Sequence, residues 1–291
     1  PSKRDWAQAI EELRQEGHPL EYMLVRVKMA RSVFYYHLAR LTDVDGHADM
    51  RKRIKAIYDE NKGRYGYRRI CMDLRNKGYI INHKTVRKLM SQIGLKAKRK
   101  KRHYHSYKGQ TGKIAPNIID RDFSAERPNQ KWTTDVSQVC IKNEKLYISP
   151  ILDMYNGEII TYTLSRSPNL KMVTDMLRKA LRKYKKLAGL TIHSDQGWHY
   201  QHMLYQKMLK NNKIVQSMSR KGNCLDNSMM ENFFGLMKNE LLYVNDFDSV
   251  DSFETELRKY ILWYNKKRIK LRLKGMSPAQ YRAQYYREFN N

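Results

Sequence analysis

Along residues 4–16 (RDWAQAIEELRQE) apolar side chains recur at helical spacing, and Gly17-His18-Pro19 ends the run. LEYMLVRVKMARSVFYYHLARL follows, with two further helical patterns broken near Lys28. Residues 48–95 repeat the theme. One helix is predicted over ADMRKRIKAIYDENK, a turn at Gly63–Gly66, a helix over YRRICMDLRNKG, and a third, KTVRKLMSQIG, after Asn82-His83. Each set of three reads as a helix-turn-helix, and the last helix of the second set is basic.

The period is lost over residues 96–128, where Lys, Arg, Gly, Pro and Tyr mix as in a linker. From Asn129 the alternation becomes that of strands: QKWTTDVSQVCI, EKLYISPILDMY and GEIITYTLS, each bounded by a polar or Gly-containing turn. A helix (NLKMVTDMLRKALRKYKKL), a strand (LTIHSD), a helix (QHMLYQKMLKNN), a strand (KIVQSMS) and a helix (MMENFFGLMKNELL) complete the order βββ-α-β-α-β-α. That order predicts an α/β layer sandwich with a mixed sheet and matches the ribonuclease-H-like arrangement. The expected domains are 1–45 and 46–97 (helix-turn-helix segments), 98–128 (basic linker), 129–245 (catalytic core) and 246–291 (a helical appendage, whose Tyr260, Trp263 and Tyr264 read as a packing face).

Charge sharpens this picture. The 291 residues carry a formal net charge of +28, far more than solubility requires and in keeping with a polyanionic partner. The excess is local. Residues 1–50 hold seven basic and eight acidic side chains, whereas residues 51–128 hold 23 basic against six acidic. Arg64, Arg68, Arg69, Lys84, Arg87 and Lys88 in the second helical segment are therefore expected to meet DNA. Lys98, Arg99, Lys100, Lys101 and Arg102 are expected to form a basic strap along it, interleaved with Tyr104, His105 and Tyr107. Cys71, Cys140 and Cys224 lack paired spacing, which argues for a reducing compartment and against a disulfide frame. No apolar run is long enough for a membrane helix, and the N-terminal residues lack the apolar stretch of a signal peptide, so a cytoplasmic protein is expected. A start at Pro1 without Met fits a processed, fused or trimmed product.

Three acids carry the candidate chemistry. Asp135 is expected mid-strand, Asp195 at the carboxyl end of LTIHSD, and Glu231 in the first turn of the last core helix behind a cap at Asn227 or Ser228. Each alone has an ordinary explanation in a local hydrogen bond, a turn or a helix dipole. Together they fall on two strands and a helix of the one layout that brings such elements together, and clustered carboxylate oxygens suit hard divalent cations. His193 and His199 flank Asp195, but without a cysteine pair a zinc site is disfavoured.

WTTD, HSDQG and GNCLDNSMMENFFGLMKNE resemble the three catalytic blocks of DDE transposases and retroviral integrases, with 35 residues between Asp195 and Glu231. GRYGYRRICMDLRNKGYIINHKTVRKLM and WYNKKRIKLRLKGMSPAQYR resemble the DNA-binding region and tail of OrfB-type transposases of the insertion-sequence-three family. The resemblance implies Asp135, Asp195 and Glu231 as catalytic metal ligands for two Mg²⁺ or Mn²⁺ ions. It also implies that Lys238, two helical turns beyond Glu231, meets DNA phosphate. The tail departs from the R-x-H pattern of many relatives, with Lys270 after Arg268. The implied activity is that of a bacterial insertion-sequence transposase that binds terminal inverted repeats, cleaves at the element end and transfers the 3′-hydroxyl strand into target DNA. The implied partners are those double-stranded DNAs, a second copy or a larger synaptic assembly, and the first-frame product of the same element. A nuclease that only hydrolyses, or a regulator without chemistry, are the alternatives.

Overall fold

A computed structural model describes residues 1–40, 46–98, 113–221 and 223–289. The chain divides into two compact units, Pro1–Ala56 and Ile57–Asn291.

In the first unit α1 (Lys3–Gln15) starts at Ser2, whose hydroxyl accepts from the Asp5 amide while Asp5 accepts from the Ser2 amide. This reciprocal cap satisfies two amides that the first turn cannot pair internally. α2 (Leu20–Arg26) and α3 (Arg31–Leu38) close a small core with α1 around Ala7, Ile10, Met23, Leu24 and Phe34. α4 (Ala48–Glu60) begins in this unit and ends in the next.

The second unit opens with the end of α4, then α5 (Tyr67–Asn76) and α6 (His83–Gln92). Asn82 caps α6 by accepting from the Lys84 amide at 2.8 Å. Ile70, Leu74, Val86 and Leu89 are buried, which leaves His83, Lys84, Arg87 and Lys88 on the solvent side of α6.

A mixed sheet follows. Its strands are β1 (Lys131–Thr134), β2 (Ser137–Ile141), β3 (Glu144–Asp153), β4 (Ile159–Ser165), β5 (Thr191–Ser194) and β6 (Val215–Met218), in the spatial order β2-β3-β1-β5-β6 with β4 on β3. The first four strands pair antiparallel, and β1-β5 and β5-β6 pair parallel. β1 and β2 lie end to end on the same edge of β3. Thr134 pairs with Ile151 and Ser137 with Ile148, so one register runs through the gap and places Pro150 opposite Asp135. A proline has no amide hydrogen to give to the ladder. Its carbonyl accepts the Thr134 hydroxyl at 2.9 Å instead. The single first strand expected from alternation is therefore two, and Asp135 stands just past the end of β1.

Helices cover both faces of the sheet. On one side α7 (Leu170–Lys183), the short α8 (Trp198–Gln201) and α9 (Met203–Asn211) pack with Trp132, Ile151 and Ile192. On the other, α10 (Ser228–Met237) and α11 (Val250–Lys266) pack with Ile148, Leu152 and Ile159. α11 buries Phe253, Leu257, Tyr260, Ile261 and Tyr264 against Phe233 and Met237 of α10, so the tail completes the core and is not an appendage to it. Tyr260 and Tyr264 do form a packing face. α12 (Pro278–Phe289) is tied down by Arg282, which donates to Asp153 at 2.6 Å and Glu158 at 2.5 Å. The described end of the expected linker is also part of the core: the Met218 amide donates to Pro116 O, and the Ile118 amide to Ser217 Oγ, along β6.

Candidate active site

β1 and β5 run parallel with Thr133 opposite His193. Two positions further on, each chain leaves the sheet at an aspartate, so Asp135 and Asp195 stand side by side at the carboxyl ends of neighbouring strands. Adjacent strands lie about 4.8 Å apart, and side chains in register share a face. Each acid is fixed in the same way. Asp135 Oδ1 accepts from the Val136 amide at 2.7 Å, and Asp195 Oδ1 from the Gly197 amide at 2.9 Å. A Cβ at Gly197 would stand 2.9 Å from that same Asp195 oxygen, so the tight turn suits a residue without a side chain.

Burial lifts the Asp135 carboxyl well above the usual range; the charges of Asp195 and Glu231 push it further, against the Val136 amide and Lys238. Burial also raises Asp195, against its bond from Gly197. Glu231, in the first turn of α10, is exposed, and partial burial raises its carboxyl too. Lys238 follows at the end of α10. Burial lowers its ammonium and the charge of Asp135 raises it. Asp175 pairs with Lys171 and Arg178, and Glu240 with Arg268.

Residues that spacing alone does not reveal support these four. Asn227 starts α10, yet its side chain makes no cap to that helix. Its Oδ1 accepts from Thr133 Oγ1 at 2.5 Å and its Nδ2 donates to Thr134 O at 3.3 Å. The expected cap is thus a bridge from the helix bearing Glu231 to the strand preceding Asp135. Asp226 is fully buried and receives Arg220 and Arg121. Tyr200 is also buried, with its hydroxyl 3.4 Å from Thr134 Oγ1; burial, and then the charges of Asp135 and Asp195, raise that hydroxyl well above its ordinary range. His193 is a core residue: its two ring nitrogens lie 2.9 Å from Ser217 Oγ and 3.2 Å from Ser219 Oγ, and burial pushes its pKa down to about 4.

Among the described residues, no three carboxylate, imidazole or thiol side chains are drawn together tightly enough to hold an ion as they stand. The charges of Asp195 and Glu231 both raise the Asp135 carboxyl.

The basic candidates separate. Lys84, Arg87 and Lys88 are exposed on α6, and Arg68 and Lys98 are exposed beside it. Arg68 and Arg87 flank the Tyr67 ring at 5.7 and 5.9 Å from its centroid. Arg64 does not belong with them. It is 6% exposed, donates to Glu240 O at 3.2 Å and lies 4.6 Å from the centre of the Trp263 ring, so its guanidinium is occupied inside the fold. Arg69 is half-buried and donates to Ile269 O at 3.1 Å. Arg99, Lys100, Lys101 and Arg102, with Tyr104, His105 and Tyr107, lie outside the described residues.

Residues 125–224 and 231–286 match two models of the integrase core domain, and residues 47–103 match an HTH-like domain. A putative transposase of insertion sequence element IS150 from Escherichia coli is 47% identical over 277 residues, covering 95% of this chain and 98% of its own. The chain belongs to the insertion-sequence-three family of DDE transposases. A transposase-like protein of Haemophilus influenzae is 48% identical over 204 residues, 70% of this chain and 94% of its own. Among solved structures, the HTLV-2 integrase catalytic core in complex with magnesium gives a TM-score of 0.43 at 17% identity, over 54% of this chain and 98% of that one. The mixed sheet flanked by helices is the transposase's integrase core domain, and an HTH-like domain precedes it. No described helix is long and apolar enough to cross a membrane.

Proposed function

We propose that this transposase binds the terminal inverted repeats of its own insertion sequence and, at Asp135, Asp195 and Glu231, cuts the element end and joins the freed 3′-hydroxyl to target DNA. One observation carries the reading: the parallel register sets two partly buried carboxylates together, and their mutual repulsion is relieved only by protons or cations. The donor set fits Mg²⁺ or Mn²⁺, which prefer carboxylate oxygens. Asp135, Asp195 and Glu231 would hold two such ions, which when bound activate the attacking hydroxyl and stabilise the leaving oxygen of an in-line displacement at phosphorus.

The protein's own groups do the rest. The Val136 and Gly197 amides each occupy one oxygen of an aspartate and so orient the other. Asn227 fixes the helix of Glu231 against β1. Lys238 supplies a positive charge beside Asp135 for the phosphate to be cut. α6, with Lys84, Arg87 and Lys88, lies across the DNA together with Arg68 and Lys98, where phosphate contacts give affinity and base edges give choice. Joining two element ends calls for a pair or larger assembly of chains.

The test incubates the full chain and Mg²⁺ with a duplex bearing its own element's end, then maps nicks and joined strands on a gel. Nicks at the end and joined products support the proposal. Nicks without joining would make the protein a nuclease, and bound but uncut DNA would make it a regulator.

A further inference from the structure

Glu240 follows Glu231 by nine residues, so at about 100° per residue the two side chains leave the helix on opposite sides. Glu231 is exposed to solvent, whereas Glu240 is 1% exposed. Its carboxylate accepts from Arg268 Nε at 2.9 Å, Arg268 Nη2 at 2.7 Å and the Tyr260 hydroxyl at 3.0 Å. Arg268 is itself 2% exposed. Burial alone would raise the Glu240 carboxyl, but the bonds and charge of Arg268 hold it below the usual range.

The backbone is held at the same point. Glu240 O accepts from Arg64 Nε, and the Arg64 guanidinium lies over Trp263 and Tyr260. This carbonyl is among the last of its helix, where no partner is available within the helix and a cation is favoured by the dipole. The helix also changes pitch here. Lys238–Leu242 form a single π turn, closed by the Tyr243 amide donating to Lys238 O at 2.8 Å. Such turns are uncommon and concentrate at functional sites. This one begins at Lys238, seven residues and so two turns beyond Glu231 on the same face of the helix.

We infer that Glu240 is a positioning residue for Lys238: clamped by Arg268, Tyr260 and Arg64, it fixes the π turn from which Lys238 reaches the acid pair. The inference rests on the reading of Lys238 as the cation that meets the scissile phosphate. Arg64 comes from the segment before α5, so the clamp also ties the setting of Lys238 to that segment. A buried ion pair adds little net stability compared with apolar residues of the same size, but its two-point geometry fixes direction.

The test is a double-mutant cycle on end cleavage, with the full chain, an element-end duplex and Mg²⁺. Glu240→Gln is expected to slow cleavage by about 10-fold, since small misplacements of a reacting group cost that much or more. In a Lys238→Ala background the same change is expected to cost nothing further, because the group it positions is gone. Equal losses in both backgrounds would make Glu240 merely structural and overturn the inference. Because Glu240→Gln leaves Arg268 uncompensated, the pair Glu240→Gln/Arg268→Gln is run in parallel. It removes both charges, and the same dependence on Lys238 is expected. Cleavage at the wild-type rate by Lys238→Ala alone would sink the reading of Lys238, and the positioning role with it, which separates that failure from an additive cycle.

Discussion

Thr133 and Asn227, separated by 93 intervening residues, share a buried 2.5 Å hydrogen bond that joins the strand before Asp135 to the start of the helix bearing Glu231. The distance between the acid pair and the third acid is therefore set by side chains that are not themselves acidic. The same amide also donates to Thr134 O, so one residue closes both the hydroxyl and the carbonyl.

Asn227→Ala removes both partners at once. Leaving a buried hydroxyl and carbonyl unmatched is expected to cost about 1–3 kcal/mol. Cleavage is expected to fall further than that loss alone would explain at a temperature where the variant is still folded. Melting curves together with cleavage rates check this, and unchanged cleavage by a folded Asn227→Ala would remove the bridge from the site.

The Asp135 carboxyl stands well above its ordinary 3.8 in the fold. An acid raised by folding favours the protonated form, so its ionisation at neutral pH opposes folding. Without divalent cation, Asp135→Asn is expected to melt higher than the wild type at pH 7, and the difference is expected to shrink toward pH 4. Mg²⁺ is expected to raise the melting temperature of the wild type and leave that of the variant unmoved. A variant that gains as much from Mg²⁺ as the wild type does would exclude Asp135 as a ligand.

Asp226 shows the opposite sign. Arg220 and Arg121 hold its carboxyl well below the ordinary 3.8, against its burial. The stability it contributes is present above that value and is lost as the pH falls through it toward the folded value. Asp226→Asn is expected to melt below the wild type at pH 7, with the gap narrowing below about pH 4. Melts of both proteins across this range would show it, and a gap independent of pH would assign the effect to packing alone.

Arg87 and Arg64 are expected to behave differently, although both are arginines of the helix-turn-helix segment. Arg87→Ala is expected to flatten the slope of log K against log salt by about 0.9 for each phosphate that the guanidinium neutralises, with little change in melting. Arg64→Ala is expected to lower the melting temperature and leave the slope alone. Binding titrations at several salt concentrations distinguish them, and a change of slope for Arg64→Ala would return it to the DNA surface.

The places of the candidate acids in the fold were legible because they follow from periodicity. A strand that ends in HSD and a helix that opens on SMMEN place Asp195 and Glu231 without knowledge of any contact. Asp135 was harder, since residues 132–141 contain no Gly or Pro to mark an interruption, and the proline opposite Asp135 lies on the neighbouring strand. Arg64 misled for a related reason: in a chain with 57 basic residues, charge says where DNA binds but not which guanidinium points inward. The partners that bury it, Glu240 and Trp263, lie 176 residues or more along the chain. The tail was misplaced because a helix with one apolar stripe does not declare what it packs on, and here it packs on α10.

The pairing of Thr133 with His193 has a consequence for length. Successive residues of a strand point to opposite faces, so deleting one residue from Lys131–Thr134 or from Thr191–Ser194 would do more than shorten the strand. It would turn one aspartate to the far side of the sheet, toward the packed helices, and leave the other alone. The two strands can therefore change their side chains but not their length.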